Sequence, residues 1–310
     1  MSNEHGSDDP EQLSNSAFST SSGSTGAPQP GRTHEVTGHD AGGSTDVPLN
    51  FARLSRSLLV VVAAHSDDEA IGLGAHLRSL QHLQVLIHVT DGAPRNEQDA
   101  RNGGFTSWAD YATARSGESA RAMEIAGAKG NRENLGIADQ QTIHNIEPIS
   151  NQLAALLRAL RPDIVITHPY EGGHPDHDST AASVHAACAI LRADSERVPR
   201  IAEFASYYAG PDGLEVERFL GETSTDDFLL SESERERKLE IFKCYESQAH
   251  VLQAFPCRRE PVRWAPRYNF SLPPHAGKLN YEQFDWGVDG ETWRKLARGA
   301  LEHLVGRTCL

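Results

Sequence analysis

Leu58-Leu-Val-Val-Val-Ala-Ala-His-Ser-Asp-Asp-Glu69 joins an apolar run directly to a group of imidazole and carboxylate side chains. Seven consecutive apolar residues predict a strand that is buried on both faces, as in the middle of a parallel sheet. Ligands of such sheets collect at the carboxyl ends of the strands, where His65, Asp67 and Asp68 lie. His65 and Asp68 are suitable ligands for a divalent metal such as zinc, and Asp67 remains to accept a proton. The alternative is that the carboxylates only cap the next helix.

A second cluster of the same kind follows another predicted strand. The sequence His168-Pro-Tyr-Glu-Gly-Gly-His-Pro-Asp-His177 comes directly after Asp163-Ile-Val-Ile-Thr167 and before a helix-like segment. Two parallel strands of one sheet end at the same edge, so they can bring His65, Asp68 and His177 together there. This pairing favours a metal site over simple helix capping.

The chain from Val47 onward alternates between strand-like and helix-like segments. The strands are predicted at 58–64, 84–90, 163–167 and 203–208, and the helices at 69–83, 111–128, 147–160, 177–192, 232–245 and 291–305. This alternation predicts βαβ units with right-handed crossovers. The fold class is therefore α/β: a Rossmann-like, mostly parallel sheet with helices on both faces, in a single catalytic domain of residues 47–310.

The composition restricts the class and location of the protein. Residues 1–46 contain few large apolar side chains, so we predict a disordered tail there. The 310 residues carry a formal net charge of −14, which argues against a nucleic-acid partner. No segment approaches the roughly 18 apolar residues that span a bilayer. The four cysteines are too scattered for a disulfide framework or a CxxC metal site, so we predict reduced thiols and a cytoplasmic protein. The sequence does not indicate the number of subunits.

Gly72 and Gly74 offer a competing interpretation, because glycines after a first strand are typical of dinucleotide-binding folds. That fingerprint has its glycines in the turn, where the backbone approaches a pyrophosphate. Here residues 65–69 occupy the turn, and the glycines fall in the predicted helix. Close packing of the helix against the sheet explains them better than nicotinamide or flavin binding.

Five short motifs occur in a fixed order within residues 55–250. They are Ala64-His-Ser-Asp-Asp-Glu69, Thr90-Asp-Gly92, Arg115-Ser-Gly-Glu118, Gly172-Gly-His-Pro-Asp-His177 and Tyr245-Glu-Ser-Gln248. This ordered set resembles the PIG-L/LmbE family of zinc-dependent N-deacetylases. The resemblance implies an LmbE-like fold and hydrolysis of a linear, non-peptide amide, which removes an acetyl group from N-acetylglucosamine joined to another moiety. One departure is Ser66, where the family usually has proline, and the change loosens the backbone between ligand and base.

The resemblance also implies how the metal is held and used. His65, Asp68 and His177 would bind Zn²⁺, with Fe²⁺ as the other candidate, and would leave sites open for water and the substrate carbonyl. Asp67 would act as the general base toward the metal-bound water, which is the nucleophile.

Further roles follow from the same resemblance. His174, when protonated, would stabilise the oxyanion or assist the departing amine, and Asp176 would orient it. Arg115 would contact the polar appendage of the substrate, a small amino-sugar conjugate. Independently of the resemblance, three aromatic residues of the C-terminal part offer rings for a sugar, although aromatics at such density are more often core; they are Trp264, Tyr268 and Trp286.

Two alternatives from other reaction classes stay open at this stage. Some LmbE-like proteins are hydratases of small unsaturated dicarboxylic acids, with the same fold and metal. A set of two histidines and one carboxylate also occurs in non-haem iron oxygenases. The alternating α/β pattern disfavours the jelly roll in which that triad is commonly housed, and Asp67 beside the ligands suits hydrolysis better.

Overall fold

A six-stranded sheet forms the centre of the computed structural model, which describes residues 49–221 and 228–306. In their order across the sheet, the strands are β3 (Asn131–Ile137), β2 (Leu83–Thr90), β1 (Leu59–Ala63), β4 (Ile164–Thr167), β5 (Arg200–Phe204) and β8 (Val262–Trp264). Neighbouring strands run parallel except β8, which pairs antiparallel with β5. Strands β6 (Tyr207–Gly210) and β7 (Gly213–Val216) form a separate antiparallel hairpin. The predicted tail, residues 1–46, lies outside the described residues.

The helices connect these strands and follow them. They are α1 (Phe51–Leu54), α2 (Asp68–Leu73), α3 (Gln98–Asn102), α4 (Trp108–Ala126), α5 (Ile146–Leu160), α6 (Pro175–Ala193), α7 (Glu232–Phe242), α8 (Ala249–Leu252) and α9 (Gly290–Val305).

Every residue of β1 is fully buried, because a hydrophobic core covers each face of the sheet. Leu59, Val61 and Ala63 belong to a core that includes residues of α2, α4 and α7. Val60 and Val62 point to the opposite face and pack with residues of α5 and α6. Burial of each such aliphatic side chain contributes about 1.5 to 3 kcal/mol. The predicted α/β class, a mostly parallel sheet with helices on both faces, is confirmed.

Gly72 allows α2 to lie directly against the sheet. A Cβ atom at this position would be 2.2 Å from Cδ2 of Phe204 on β5. The interpretation of this glycine as a close-packing residue is therefore confirmed. α2 is nevertheless shorter than predicted and is followed by a 3₁₀ turn at Leu77–Ser79. The chain leaves the helix where the N–H of Ala75 donates a hydrogen bond of 2.8 Å to the buried carboxylate of Glu260.

Two sheet predictions were wrong for physical reasons. The segment 203–208 is divided between β5 and β6, because the chain leaves the sheet after Phe204. Strand β3 was missed because Asn131 to Asn134 are polar and exposed, as suits an edge strand without a covered face.

Within the described ranges, no helix combines the length and the apolarity needed to cross a bilayer. The cysteines of the same ranges, Cys188, Cys244 and Cys257, are buried free thiols.

Candidate active site

The candidate site lies where the carboxyl ends of β1 and β4 meet the beginning of α6. Strand β1 leads through His65 and Asp67 into α2, which begins at Asp68. Helix α6 begins at Pro175, whose fixed φ suits the first helical position, and His177 lies in its first turn. The structure thus brings the two sequence clusters to one edge of the sheet.

Asp68 lies between the two histidines that we expect to be ligands. Its Oδ2 is 3.3 Å from Nδ1 of His65, and its Oδ1 is 3.1 Å from Nε2 of His177. All three side chains are buried. Ligand atoms at zinc-binding distance in a tetrahedral site are roughly 3.3 Å apart, so the spacing of Asp68 from each histidine suits a metal. Two groups of three at this edge have ligand atoms within 4.8 Å of one another: His65 with His174 and His177, and Asp68 with His168 and His177.

The second ring nitrogen of His65 faces two carboxylates. Its Nε2 is 3.2 Å from Oδ2 of Asp176 and 3.3 Å from Oδ1 of Asp139. Asp176 is itself fixed, because it accepts hydrogen bonds from the N–H of Gln140 and from both the N–H and the hydroxyl of Thr142. A carboxylate that holds one imidazole nitrogen is the usual support for a metal-binding histidine. Nδ1 of His65 is therefore the nitrogen available to a metal.

His168 is a further imidazole beside Asp68, with its Nε2 3.3 Å from Oδ2 of that residue. The same nitrogen accepts a hydrogen bond of 3.0 Å from the N–H of Ala64. The ring stacks on His177 with 4.0 Å between centroids. Burial, reinforced by His177, lowers the pKa of His168 to about 4. Asp68, His168 and His177 form one group whose ligand atoms lie close enough to hold a metal ion, although Nε2 of His168 also accepts the hydrogen bond from Ala64.

Asp67 occupies the N-cap position of α2, but its side chain makes no capping hydrogen bond. Its Oδ1 instead accepts a hydrogen bond of 3.1 Å from Arg115, whose other terminal nitrogen donates to the carbonyl of Gly92 at 2.7 Å. Arg115 also lies 3.7 Å from Asp139. These contacts exclude helix capping as the role of the Asp67 carboxylate. They place Arg115, which we expected to contact substrate, in a buried ion pair with Asp67.

The adjacent carboxylates Asp67 and Asp68 have opposite pKa shifts. Burial raises the pKa of Asp67, and the neighbouring Arg115 offsets this only in part. Burial acts on Asp68 as well, but His177 and His168 outweigh it and hold the pKa of Asp68 well below its usual range. Asp68 therefore stays ionised, as a ligand must, and Asp67 takes up a proton more readily. When their environments move the pKa values of two neighbouring carboxyl groups apart, the two groups can take different roles in a reaction.

His174 caps α6 with its ring. Its Nδ1 accepts a hydrogen bond of 3.1 Å from the N–H of Asp176, so the proton of the neutral imidazole is on Nε2. Burial, with His65 beside it, lowers the pKa of His174 well below its ordinary value. The structure therefore favours a neutral Nε2–H donor instead of the protonated ring that the family resemblance suggested. The Asp176 carboxylate, expected to orient His174, is 4.0 Å from Nδ1 and orients His65 instead.

Residues 60–188 match the sequence profile of PIG-L, described as GlcNAc-PI de-N-acetylase. The chain contains a PIG-L family domain. The matched segment contains every residue that we expect to act as ligand, base or hydrogen-bond donor. No curated protein sequence matches the chain.

Three solved structures are similar to this chain over part of its length. The A40926 pseudoaglycone deacetylase is 19% identical, with 65% of this chain and 86% of that chain covered and a TM-score of 0.48. The N,N′-diacetylchitobiose deacetylase from Pyrococcus horikoshii is 19% identical, with 64% and 74% covered and a TM-score of 0.47. GalB, the 4-carboxy-2-hydroxymuconate hydratase from Pseudomonas putida, is 21% identical, with 64% and 82% covered and a TM-score of 0.45.

Glu69 connects the PIG-L domain to the last of the five motifs, residues 245–248, which lies outside the matched segment. The side chain is fully buried, with one oxygen 3.0 Å from Nε2 of His88. Its other oxygen accepts hydrogen bonds from the hydroxyl groups of Tyr245 at 3.1 Å and Ser119 at 3.4 Å. Glu69 therefore supports the turn after β1 and leaves catalysis to its neighbours.

Glu118 makes an equivalent connection between the third and last motifs. Its carboxylate accepts hydrogen bonds from the N–H of Ser247 at 2.9 Å and from the hydroxyl of the same residue at 2.6 Å. Gln248 donates to the hydroxyl of Tyr111 on the same helix, α4. The Tyr-Glu-Ser-Gln motif is thus a structural partner of the PIG-L domain.

Two residues near the site were missed by sequence reasoning. Asp139 follows β3. A carboxylate at the end of a strand is a signal for a site residue, but β3 itself was not recognised as a strand because its sequence is polar. Tyr207 begins β6, and its ring centroid is 5.2 Å from that of His177. Of the three candidate aromatic residues, Trp286 reaches the site, where its ring centroid is 4.5 Å from that of His174.

The donor atoms of the PIG-L domain fit a divalent metal. Nε2 of His177 and Oδ1 of Asp139 are buried and find no hydrogen-bond partner among residues 49–221 and 228–306. Buried polar atoms are normally paired, so a bare imidazole nitrogen beside an ionised carboxylate is available for coordination. Imidazole nitrogen and carboxylate oxygen together suit zinc or iron.

Proposed function

We propose that the protein is a metal-dependent N-deacetylase acting on an N-acetylglucosamine-type conjugate in the cytoplasm. The observation that carries this proposal is the position of Asp68 between the imidazoles of His65 and His177, beside Asp67, whose carboxylate is held by Arg115 and does not cap α2. A metal ligand next to a proton acceptor is the arrangement that hydrolysis of an amide requires.

His65, Asp68 and His177 would hold the metal, with Zn²⁺ as the proposed ion and Fe²⁺ as the alternative. The metal would supply Lewis acidity, which polarises the acyl carbonyl and makes a water molecule more acidic.

The remaining steps use side chains of this chain. Asp67 takes the proton of the attacking water, while the ion pair with Arg115 keeps the carboxylate in position. His174 donates its Nε2–H to the carbonyl oxygen as negative charge develops, a contact typically worth roughly 10²- to 10³-fold in rate. When the C–N bond breaks, Asp67 returns the proton to the amine nitrogen. Acetate and a free amine form, and Asp67 is again ionised.

The charge of the site favours an amide over a dicarboxylic acid as substrate. Asp67, Asp68 and Asp139 make the site acidic, and Arg115 is already paired with Asp67 and lies 3.7 Å from Asp139. Arg95, in the loop after β2, forms an ion pair of 2.6 Å with Asp91. A substrate with two carboxylates would need cations that are not already paired. The hydratase alternative is therefore supported less well, and the parallel sheet disfavours the iron oxygenase.

Product analysis tests the reaction. The protein, reconstituted with Zn²⁺, should release one acetate per amine formed from at least one member of a panel of N-acetylglucosamine conjugates. Asp67→Asn, loaded in the same way, should release almost none. Absence of acetate from every conjugate, together with water addition to an unsaturated dicarboxylate, would reject the deacetylase and support the hydratase.

Metal analysis tests the ligand set independently of turnover. His65→Ala, Asp68→Ala and His177→Ala should each lose bound metal while retaining the circular dichroism of the folded protein. His168→Gln is the matched control, because glutamine can still accept the hydrogen bond from Ala64, and it should retain metal. Loss of metal from His168→Gln equal to that from His177→Ala would contradict the assignment.

A further inference from the structure

A segment outside the PIG-L match packs against the turn that carries His174. We call residues 279–286 the C-terminal wall. The backbone N–H of Asn280 donates to the carbonyl of Gly172 at 2.9 Å, and its side-chain amide donates to the carbonyl of Gly173 at 3.0 Å. A Cβ atom at Gly172 would be 2.7 Å from Leu279, so the glycine permits this contact.

Glu282 ties the C-terminal wall to the helix that follows it. One oxygen of Glu282 accepts a hydrogen bond of 2.9 Å from the N–H of Leu279, and the other accepts one of 2.7 Å from the N–H of Gly290. Gly290 is the first residue of α9. The wall therefore holds its position through the site turn on one side and a helix on the other.

Trp286 is the residue of the wall that meets the site. Its ring centroid is 4.5 Å from that of His174, whose ring also has His65 at 4.6 Å and His177 at 5.3 Å. Phe284 stacks on Trp286 at 4.6 Å with 22° between the ring planes. Trp286 is half-buried, and no group in the described part of the chain accepts a hydrogen bond from its indole N–H.

The chemistry of the wall complements that of the site floor. The floor is charged, with Asp67, Asp68 and Arg115, whereas the wall presents aromatic surface and one unused N–H donor. A pyranose ring has hydroxyl groups around its edge and C–H groups on its faces, so it needs both kinds of surface. We infer that Trp286 binds the pyranose ring of the substrate next to His174 and determines selectivity for amino sugars. This inference rests on the proposed function for the identity of the substrate.

Tryptophan fluorescence tests the contact without turnover. A β-linked disaccharide of N-acetylglucosamine, titrated into the metal-free protein, should change the emission of the wild type and leave that of Trp286→Phe unchanged. Trp264→Phe is the matched control, since Trp264 lies on β8 with Arg200 3.5 Å from its ring centroid, and it should respond like the wild type. A change in the emission of Trp286→Phe as large as that of the wild type, or no change in any of the three proteins, would overturn the inference.

Kinetics separate this inference from the proposed function. Trp286→Ala should raise KM for sugar conjugates by roughly two- to tenfold, the range measured for aromatic contacts, with a smaller change in kcat. It should leave KM for a small non-sugar acetamide unchanged, and circular dichroism and metal content should match the wild type. Acetate release with an unchanged sugar KM would overturn the role of Trp286 while the deacetylase stands. If no acetate is released, the fluorescence titration alone decides the role of Trp286.

Discussion

At the scale of single residues, Arg115 determines how Asp67 is held. The guanidinium lies so close to Gly92 that a Cβ atom there would be 2.8 Å from Cζ, and Gly92 has a φ of +72°. Only glycine combines that conformation with that approach at little cost. Gly92 of the Thr-Asp-Gly motif therefore serves the general base indirectly, through the arginine that its carbonyl holds.

The prediction at this scale separates the base from the ligand. Asp67→Asn should keep its metal, because the metal is held by neighbouring residues, and should lose roughly 10²- to 10⁴-fold in turnover, because asparagine cannot accept the proton. Metal analysis and steady-state kinetics on the same sample provide the check. Asp91→Asn, at the end of β2, is the matched control and should change neither quantity. Metal loss from Asp67→Asn as complete as that from Asp68→Ala would reverse the assignment of the two carboxylates.

At the scale of elements, the packing of α2 on β5 sets the position of the first motif. Helix α2 begins at the ligand Asp68 and is only six residues long, so its own hydrogen bonds do little to fix it. Its position depends on contact with the sheet at Gly72 and on the hydrogen bond from Lys238 of α7 to the carbonyl of Ile71. A change at this contact therefore acts on the metal site through the helix.

Gly72→Ala tests this dependence. The added methyl group would meet the Phe204 ring, so we expect a loss of about 1 to 3 kcal/mol in the free energy of unfolding and weaker metal binding. Gly117→Ala is the matched control in α4, where the nearest atom to the new Cβ is 3.6 Å away on Arg121, and it should stabilise by up to about 1 kcal/mol. Urea denaturation and metal titration measure both effects. Equal stability of the two variants would show that the contact does not position α2.

At the scale of the whole molecule, the sequence predicts the apolar strands and the short motifs, which are local patterns, but not the contacts between distant residues. Strands β1 and β4 were found because both are continuous and apolar, whereas β3 is polar and lies at an edge. The motifs identified the candidate ligands, but their pairings depend on the folded chain. Asp176 and His65 are 111 residues apart, and Arg115 and Asp67 are 48 residues apart. No local pattern indicates that Asp176 holds His65 or that Arg115 holds Asp67.

A buried ion cluster at the edge of the sheet makes the stability of the whole fold depend on pH. Arg263 on β8 lies opposite Glu203 on β5 and donates to it at 2.8 Å. It also donates to Glu171 at 3.2 Å, in the loop that leads to the second motif. Burial, only partly offset by Arg263, raises the pKa of each of the two carboxyl groups from an ordinary value of 4.5 to about 7.

The sign of the effect follows from these raised pKa values. Between pH 4.5 and about 7 the folded protein binds more protons at these carboxyl groups than the unfolded chain does. Their contribution to stability is therefore complete below pH 4.5 and is lost as the pH rises through about 7. Glu203→Gln removes one of the two groups but keeps an acceptor for Arg263. Its unfolding free energy relative to wild type should increase between about pH 5 and about pH 8, by up to about 3 kcal/mol. Urea denaturation at several pH values gives this difference, with the exposed Glu236→Gln as control, and a difference independent of pH would contradict the argument.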